Sequence, residues 1–282
     1  MSLAADDETM TDDIDWRPYD LTDGHTVLGD VRVSSTIETP LSTDRHLLVS
    51  LPPSYTDAER SETSYPVVYM HDGQNLFDEA TSNSGEWCVD ETMARLSDEG
   101  REAIVVGIPH GGDARGDEYT PYPHEEYGGG DADQYLQFLF ETVKPLVDET
   151  FRTRPGREAT GLVGSSLGGV VSLYGFFEYG AKVGFAGVMS PAFWWPGEPM
   201  FEYVADQSRT DGRLYVDVGG QESPDNPELN DAYVRDAERM AEQLREQGFT
   251  DDRLRFVVDD DARHHESEWA ERFPDAMRFL LG

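Results

Sequence analysis

The chain is poor in positive charge. Its 282 residues hold 22 Lys and Arg against 57 Asp and Glu, a net charge of −35. Only two of the 22 are lysine, Lys144 and Lys182. Nucleic acids and anionic lipids bind clustered cations, so nonspecific nucleic-acid binding and membrane-surface docking are both excluded. Cysteine is almost absent too. Cys88 stands alone, which rules out an intramolecular disulfide, and no motif around it marks a nucleophile. No run of 18 consecutive apolar residues occurs, so no segment is expected to span a membrane. The N-terminal MSLAADDETMTDD is acidic where a signal peptide would be basic and then apolar. The expectation from these absences is a soluble, cytoplasmic protein.

What is present is enough for a core. Hydrophobic residues make up 38% and aromatics 11%, too much for a disordered chain despite the charge. The acid excess is therefore expected to coat a folded surface. A lysine-poor carboxylate coat is the manner of halophilic proteins, in which molar salt screens the mutual repulsion. Residues 1–13 are polar and acidic and read as a flexible arm. Residues 14–282 show no repeat and no long linker and read as a single domain.

Short β-branched runs at 31–37, 46–51, 66–70, 103–108, 159–163, 184–189, 213–218 and 254–258 predict strands. Helical patterns separate the later ones. Leu136, Leu139, Phe140, Val143 and Val147 share one face, with Pro145 expected to bend it. Tyr233, Ala237, Met240, Ala241 and Leu244 share another, ended by Gly248, and a last helix carries Trp269, Phe273, Met277 and Leu280. Strands first, then strand–helix alternation, predict an α/β fold. Its sheet is mostly parallel with antiparallel first strands, and helices cover both faces. Reactive loops in such a sheet lie at the carboxyl ends of the parallel strands.

One of those ends carries Gly164-Ser165-Ser166-Leu167-Gly168-Gly169, between the strand at 159–163 and an apolar helical stretch at 170–177. G-x-S-x-G between strand and helix is the pattern of a nucleophile elbow, where glycines make room for a sharp turn that lifts the serine hydroxyl above the sheet. Ser166 is the candidate nucleophile, with Ser165 as the neighbouring alternative. The turn also places Ser166 at a helix N-terminus, and the Leu167 N–H points at the future oxyanion.

The elbow fold orders its residues as serine, acid, histidine. Of seven histidines only His264 and His265 follow Ser166, and the residues alone leave these two neighbours equal. Both come after the strand at 254–258 and the acidic run Asp259-Asp260-Asp261, expected to be a loop. The acid is expected after the strand at 213–218. Glu222 is favoured, Asp225 is the alternative, and Asp217 inside the strand reads as structural. A second oxyanion donor is expected from the loop after the strand at 66–70. There Gly73 lets the backbone approach closely, and the Gln74 N–H is the candidate. His71 and Asp72 read as anchors of that loop. Asp259, Asp260, Asp261, His264 and His265 lack HExxH or any other ligand spacing, so neither metal nor cofactor is expected.

These residues stand in blocks that resemble the esterase family of the α/β-hydrolase superfamily. Its members include enterochelin-esterase-like proteins, feruloyl esterases, S-formylglutathione hydrolase and the mycolyltransferases of the antigen 85 group. The blocks are YPVVYMHDGQNLFD (65–78), GEWCVDET (85–92), EYTPY (118–122), GLVGSSLGGVVSLY (161–174), MSPAFWW (189–195), LYVDVGGQES (214–223) and HHESEW (264–269), in family order. The resemblance implies an α/β-hydrolase fold without a large lid domain and with an open cleft. It implies His264 as the base, five residues before Trp269, with His265 where the family often has asparagine. It implies Glu222 as the acid, three residues after the first glycine of its turn, although some members work with a Ser–His dyad. It also implies that Tyr119, Trp194 and Trp195 rim the substrate pocket. The activity implied is a serine ester hydrolase that cleaves a small-molecule ester through an acyl-enzyme. The alternatives are an acyltransferase on the same residues and, in a different class, a noncatalytic binding protein on a hydrolase frame. Nothing in the sequence specifies an oligomeric state.

Overall fold

The computed structural model describes residues 14–208 and 211–282. The arm expected over 1–13 lies outside the described residues. Among the described residues nine strands form one sheet. They are β1 (Trp16–Pro18), β2 (Asp30–Ser34), β3 (Leu48–Leu51), β4 (Val67–His71), β5 (Ile104–Ile108), β6 (Thr160–Ser165), β7 (Phe185–Met189), β8 (Arg213–Gln221) and β9 (Leu254–Arg263). Their order is β1-β2-β3-β5-β4-β6-β7-β8-β9. The pairs among β1, β2, β3 and β5 are antiparallel, and every pair from β5 through β4 to β9 is parallel. This is the α/β-hydrolase arrangement expected, and among the described residues no large lid interrupts it.

Among the described residues eight α-helices fill the connections. They are α1 (Val89–Ser97), α2 (Arg115–Glu118), α3 (Ala132–Phe138), α4 (Lys144–Thr150), α5 (Leu167–Glu178), α6 (Glu198–Asp206), α7 (Pro227–Glu246) and α8 (Glu266–Leu281). Side-chain alternation along the strands explains the two layers. In β4, Val67 and Tyr69 join the core made with α3 to α7, while Val68 and Met70 join the core made with α1 and α8. The central strands β4 to β7 are buried along their whole length, as parallel strands covered on both faces must be. All the apolar positions expected on α7 and α8 are buried.

Three details differ from the sequence reading. The short edge strand β1, which ends at Pro18, has no apolar run to announce it. The helix before Pro145 does not simply bend. It widens into a π turn over Leu139–Val143 directly upstream of that proline, which has no N–H to give. The run Asp259–Asp261, expected as a loop, continues β9. It pairs beside a bulged extension of β8, with Gly219 opposite Asp259 and Gln221 opposite Arg263. Charged side chains on an outer strand also discourage pairing with a second sheet.

Candidate active site

β6 ends at Ser165 and α5 begins at Leu167, so Ser166 alone makes the turn. It does so at φ 57°, ψ −123°, a conformation that side-chain-bearing residues rarely adopt. Its N–H donates to the Met189 carbonyl at 2.9 Å, and its carbonyl accepts from the Gly169 and Val170 N–H groups. Gly164 has no room for a side chain, because a Cβ there would lie 2.8 Å from the Gly168 carbonyl carbon. The close approach of strand and helix thus leaves the Ser166 hydroxyl half-buried at a helix N-terminus, while Ser165 is buried within β6.

Gly73 serves the neighbouring loop in the same way. A Cβ on it would lie 2.5 Å from the Gly107 backbone, so the turn over Gly73–Asn75 sits directly against β5. Among the described residues neither the Gln74 nor the Leu167 N–H has an acceptor.

The β8–β9 register sets the third part. Gln221 lies opposite Arg263, so the next residue on each strand, Glu222 and His264, come together. His264 Nδ1 is 2.6 Å from Glu222 Oε2. The Glu222 side chain is fully buried, and its other oxygen accepts the Gly219 N–H. Burial raises its pKa, but the hydrogen bonds from His264 and the Gly219 N–H outweigh this and hold the carboxyl below its usual range. The His264 ring is flanked by Tyr233 at 4.8 Å and, edge to face, by Trp269 at 4.9 Å. His265 points elsewhere. It is exposed and caps α8, its Nδ1 accepting the Ser267 N–H at 3.2 Å. Asp225 is exposed in the turn beyond Glu222.

A buried polar network backs this arrangement. Asp217 in β8 pairs with Arg272 at 3.0 Å and accepts the Ser190 N–H at 3.1 Å. Ser190 Oγ in turn accepts from Arg272 at 2.8 Å and from Trp269 Nε1 at 3.0 Å. The ring that braces His264 is therefore itself fixed from behind.

Ser166 and His264 line one cleft of about 240 Å³, and its other walls are mostly polar, including Asp72, Gln74, Asn83, His110, Arg115 and Glu266. Arg115 holds Asp72 through two hydrogen bonds of 2.7 and 2.8 Å, and its charge keeps that carboxyl below its usual range although burial opposes this. Burial lowers the His110 pKa. Of the residues expected at the pocket rim, Tyr119 is fully buried, and its hydroxyl accepts the Asp72 N–H at 3.1 Å. It supports the loop from below and does not line the cleft. Trp194 is half-buried beside Tyr233 at 6.1 Å, and Trp195 donates to the Gly128 carbonyl at 3.0 Å within an outer aromatic group with Tyr127 and His124. Arg115, His110 and Tyr233 escaped the sequence reading. Arg115 opens the four-residue helix α2 and His110 lies in the loop before it, both single polar residues with no period to flag them, and Tyr233 reads as core because it shares the apolar face of α7.

Glu86, Cys88 and Glu91 are the one group among the described residues whose ligand atoms gather as a metal site would need, within 4.8 Å of one another. None of the three lines the cleft. Burial and the surrounding carboxylates push the Cys88 thiol up to about 11. No helix among the described residues is long and apolar enough to cross a membrane.

Comparison with known proteins places the chain. The family model described as "Putative esterase" matches residues 39–280. An uncharacterized Bacillus subtilis protein, YbbA, is 25% identical over 247 residues, which cover 85% of this chain and 93% of that protein. The siderophore triacetylfusarinine C esterase of Aspergillus fumigatus is 29% identical over 154 residues, 52% of this chain and 51% of its own length, so the match spans about half of that relative. Among solved structures, the siderophore hydrolase EstA of Aspergillus nidulans matches with a TM-score of 0.71 at 23% identity, over 89% of this chain and 94% of its own. The BES protein of Bacillus cereus matches with a TM-score of 0.67 at 20% identity, over 93% and 98%. At these identities the two structures speak for the fold.

Proposed function

The chain belongs to this esterase family and is a carboxylic ester hydrolase, and from that premise we propose that it works through an acyl-enzyme on Ser166, with His264 as the base and Glu222 as the orienting acid. The observation that carries the proposal is the 2.6 Å contact of His264 Nδ1 with a buried carboxylate, on a ring that shares a cleft with an elbow serine. Glu222 fixes the Nδ1–H tautomer and leaves Nε2 to take the Ser166 proton as Oγ attacks the ester carbon. The Gln74 and Leu167 N–H groups receive the oxyanion. Each such donor contributes on the order of 3 kcal/mol to the transition state in comparable hydrolases. His264 then gives the proton to the departing alcohol, and water repeats the cycle on the acyl-enzyme. The polar cleft walls favour a polar ester over a lipid. A siderophore ester, such as the triacetylfusarinine C named for one relative, is the first substrate class to try.

Ser166→Ala tests the assignment. The variant is expected to keep its circular dichroism spectrum, lose p-nitrophenyl acetate cleavage and lose covalent labelling by a serine-directed phosphonate. Turnover retained by a folded variant would remove Ser166 from the mechanism.

A further inference from the structure

One aromatic hydroxyl packed behind the cleft has no part in that scheme. Tyr233 projects from α7, is 5% exposed, and packs its ring 4.8 Å from His264 and 6.1 Å from Trp194. Its hydroxyl faces the Ser166 and Trp194 side chains without a hydrogen bond of regular geometry to either among the described residues. Burial pushes the phenol up to about 12, and these two neighbours pull it only partly back. At neutral pH it is therefore an uncharged donor and no base. Trp194 Nε1 is buried without a well-formed hydrogen bond, so it has an N–H to offer the phenol oxygen.

Direction decides what such a donor does. The two oxyanion candidates come from the turn after β4 and from the start of α5, whereas Tyr233 comes from α7, on the His264 side of Ser166. In the collapse of a tetrahedral intermediate, the alcohol oxygen leaves toward the imidazole that protonates it. A donor beside that imidazole meets the leaving oxygen and not the carbonyl oxygen.

We propose that Tyr233 is a further catalytic residue. Its hydroxyl donates a hydrogen bond to the ester's alcohol oxygen as the C–O bond breaks, while the Trp194 N–H holds the phenol oxygen from behind. The bonding pair of the C–O bond goes to the alcohol oxygen. The proton it gains comes from His264 Nε2, and Tyr233 keeps its own. The inference rests on the Ser166–His264 reading and deepens it, because it sets which esters the site handles well. An alkoxide leaving group develops charge that needs this donor, and a nitrophenolate needs it little.

The test is Tyr233→Phe, which keeps the ring packed on His264, assayed as kcat/KM on acetate esters with leaving groups from p-nitrophenol through phenol to an unactivated alkyl alcohol. kcat/KM reports the steps through acylation, and a common acyl group confines the comparison to the leaving group. The expected loss grows along the series and is on the order of 10-fold larger for the alkyl ester than for the nitrophenyl ester. Trp194→Phe is expected to show the same trend with a smaller spread. An equal loss across the series in both variants would make Tyr233 a packing residue and overturn the inference, as would no loss at all. Failure of the Ser166 reading is distinct from either result, since it appears as turnover retained in Ser166→Ala.

Discussion

A carboxylate acts on an imidazole according to how dry the contact is. Glu222 meets His264 with no side-chain exposure, whereas Asp225, three residues on, is exposed to water. The same unit charge is felt several-fold more strongly in the buried setting. Glu222→Gln is expected to lower kcat/KM for p-nitrophenyl acetate by on the order of 10²–10⁴-fold, as loss of the orienting charge does in related triads. Asp225→Asn is expected to change it less than about twofold, as exposed charges remote from the reaction do. The reverse ranking would move the orienting role to Asp225. Chain order and strand position made Glu222 legible among 57 acidic residues. Its burial was not legible, because that follows from the β8–β9 register and not from the residues around it. His264 and His265 show the same limit. Adjacent in sequence and alike in chemistry, they part only because one falls at a strand end facing the cleft and the other becomes a helix cap.

Elements were readable where one periodicity ran uninterrupted. The faces of α7 and α8 emerged from spacing, and the central strands from short β-branched runs. β9 was readable only as far as Val258, because three consecutive aspartates oppose strand propensity and only pairing with β8 carries the strand on to Arg263. The junction of β4 with the elbow carries a consequence of the same tertiary kind. His71, the last residue of β4, is buried with its Nδ1 2.8 Å from the Tyr135 hydroxyl and its ring against Gly164. Burial lowers its pKa to about 4. The native protein therefore keeps His71 neutral where the unfolded chain, titrating near 6.5, takes up a proton. Between those values the unfolded state binds more protons, so this group's contribution to stability is present above pH 6.5 and is lost as pH falls toward 4. Linkage gives about 2 kcal/mol of lost stability between pH 7 and pH 5. In urea unfolding at fixed salt, the stability lost between pH 7 and pH 5 should be smaller in His71→Gln than in the wild type by about that amount. An identical pH dependence in the two proteins would mean that the imidazole is not held neutral.

Across the whole molecule the dominant electrostatic fact is the excess of acids, 57 against 22 cations. The buried pairs Arg45–Glu118 and Arg272–Asp217, with side chains at most 6% exposed, are shielded from added salt. Exposed pairs such as Arg239–Glu198 and Arg278–Glu99 contribute little in any buffer. What salt can change is the repulsion among the remaining carboxylates. The screening length is about 10 Å at 0.1 M and about 3 Å at 1 M, so neighbouring surface charges feel each other in the first condition and hardly at all in the second. Tm is accordingly expected to climb by about 10 °C from 0.1 to 1 M KCl, the response of a chain this size to a few kcal/mol. The shape of the climb separates two causes. Screening saturates, so most of the rise should fall below about 0.5 M, where the Debye length shrinks fastest. Exclusion of salt from apolar surface would instead raise Tm steadily to the highest concentrations, and a neutral osmolyte would reproduce it. A Tm that stays flat over this range would show that the carboxylate coat places no strain on the fold, and a protein adapted to molar salt would then be the wrong description.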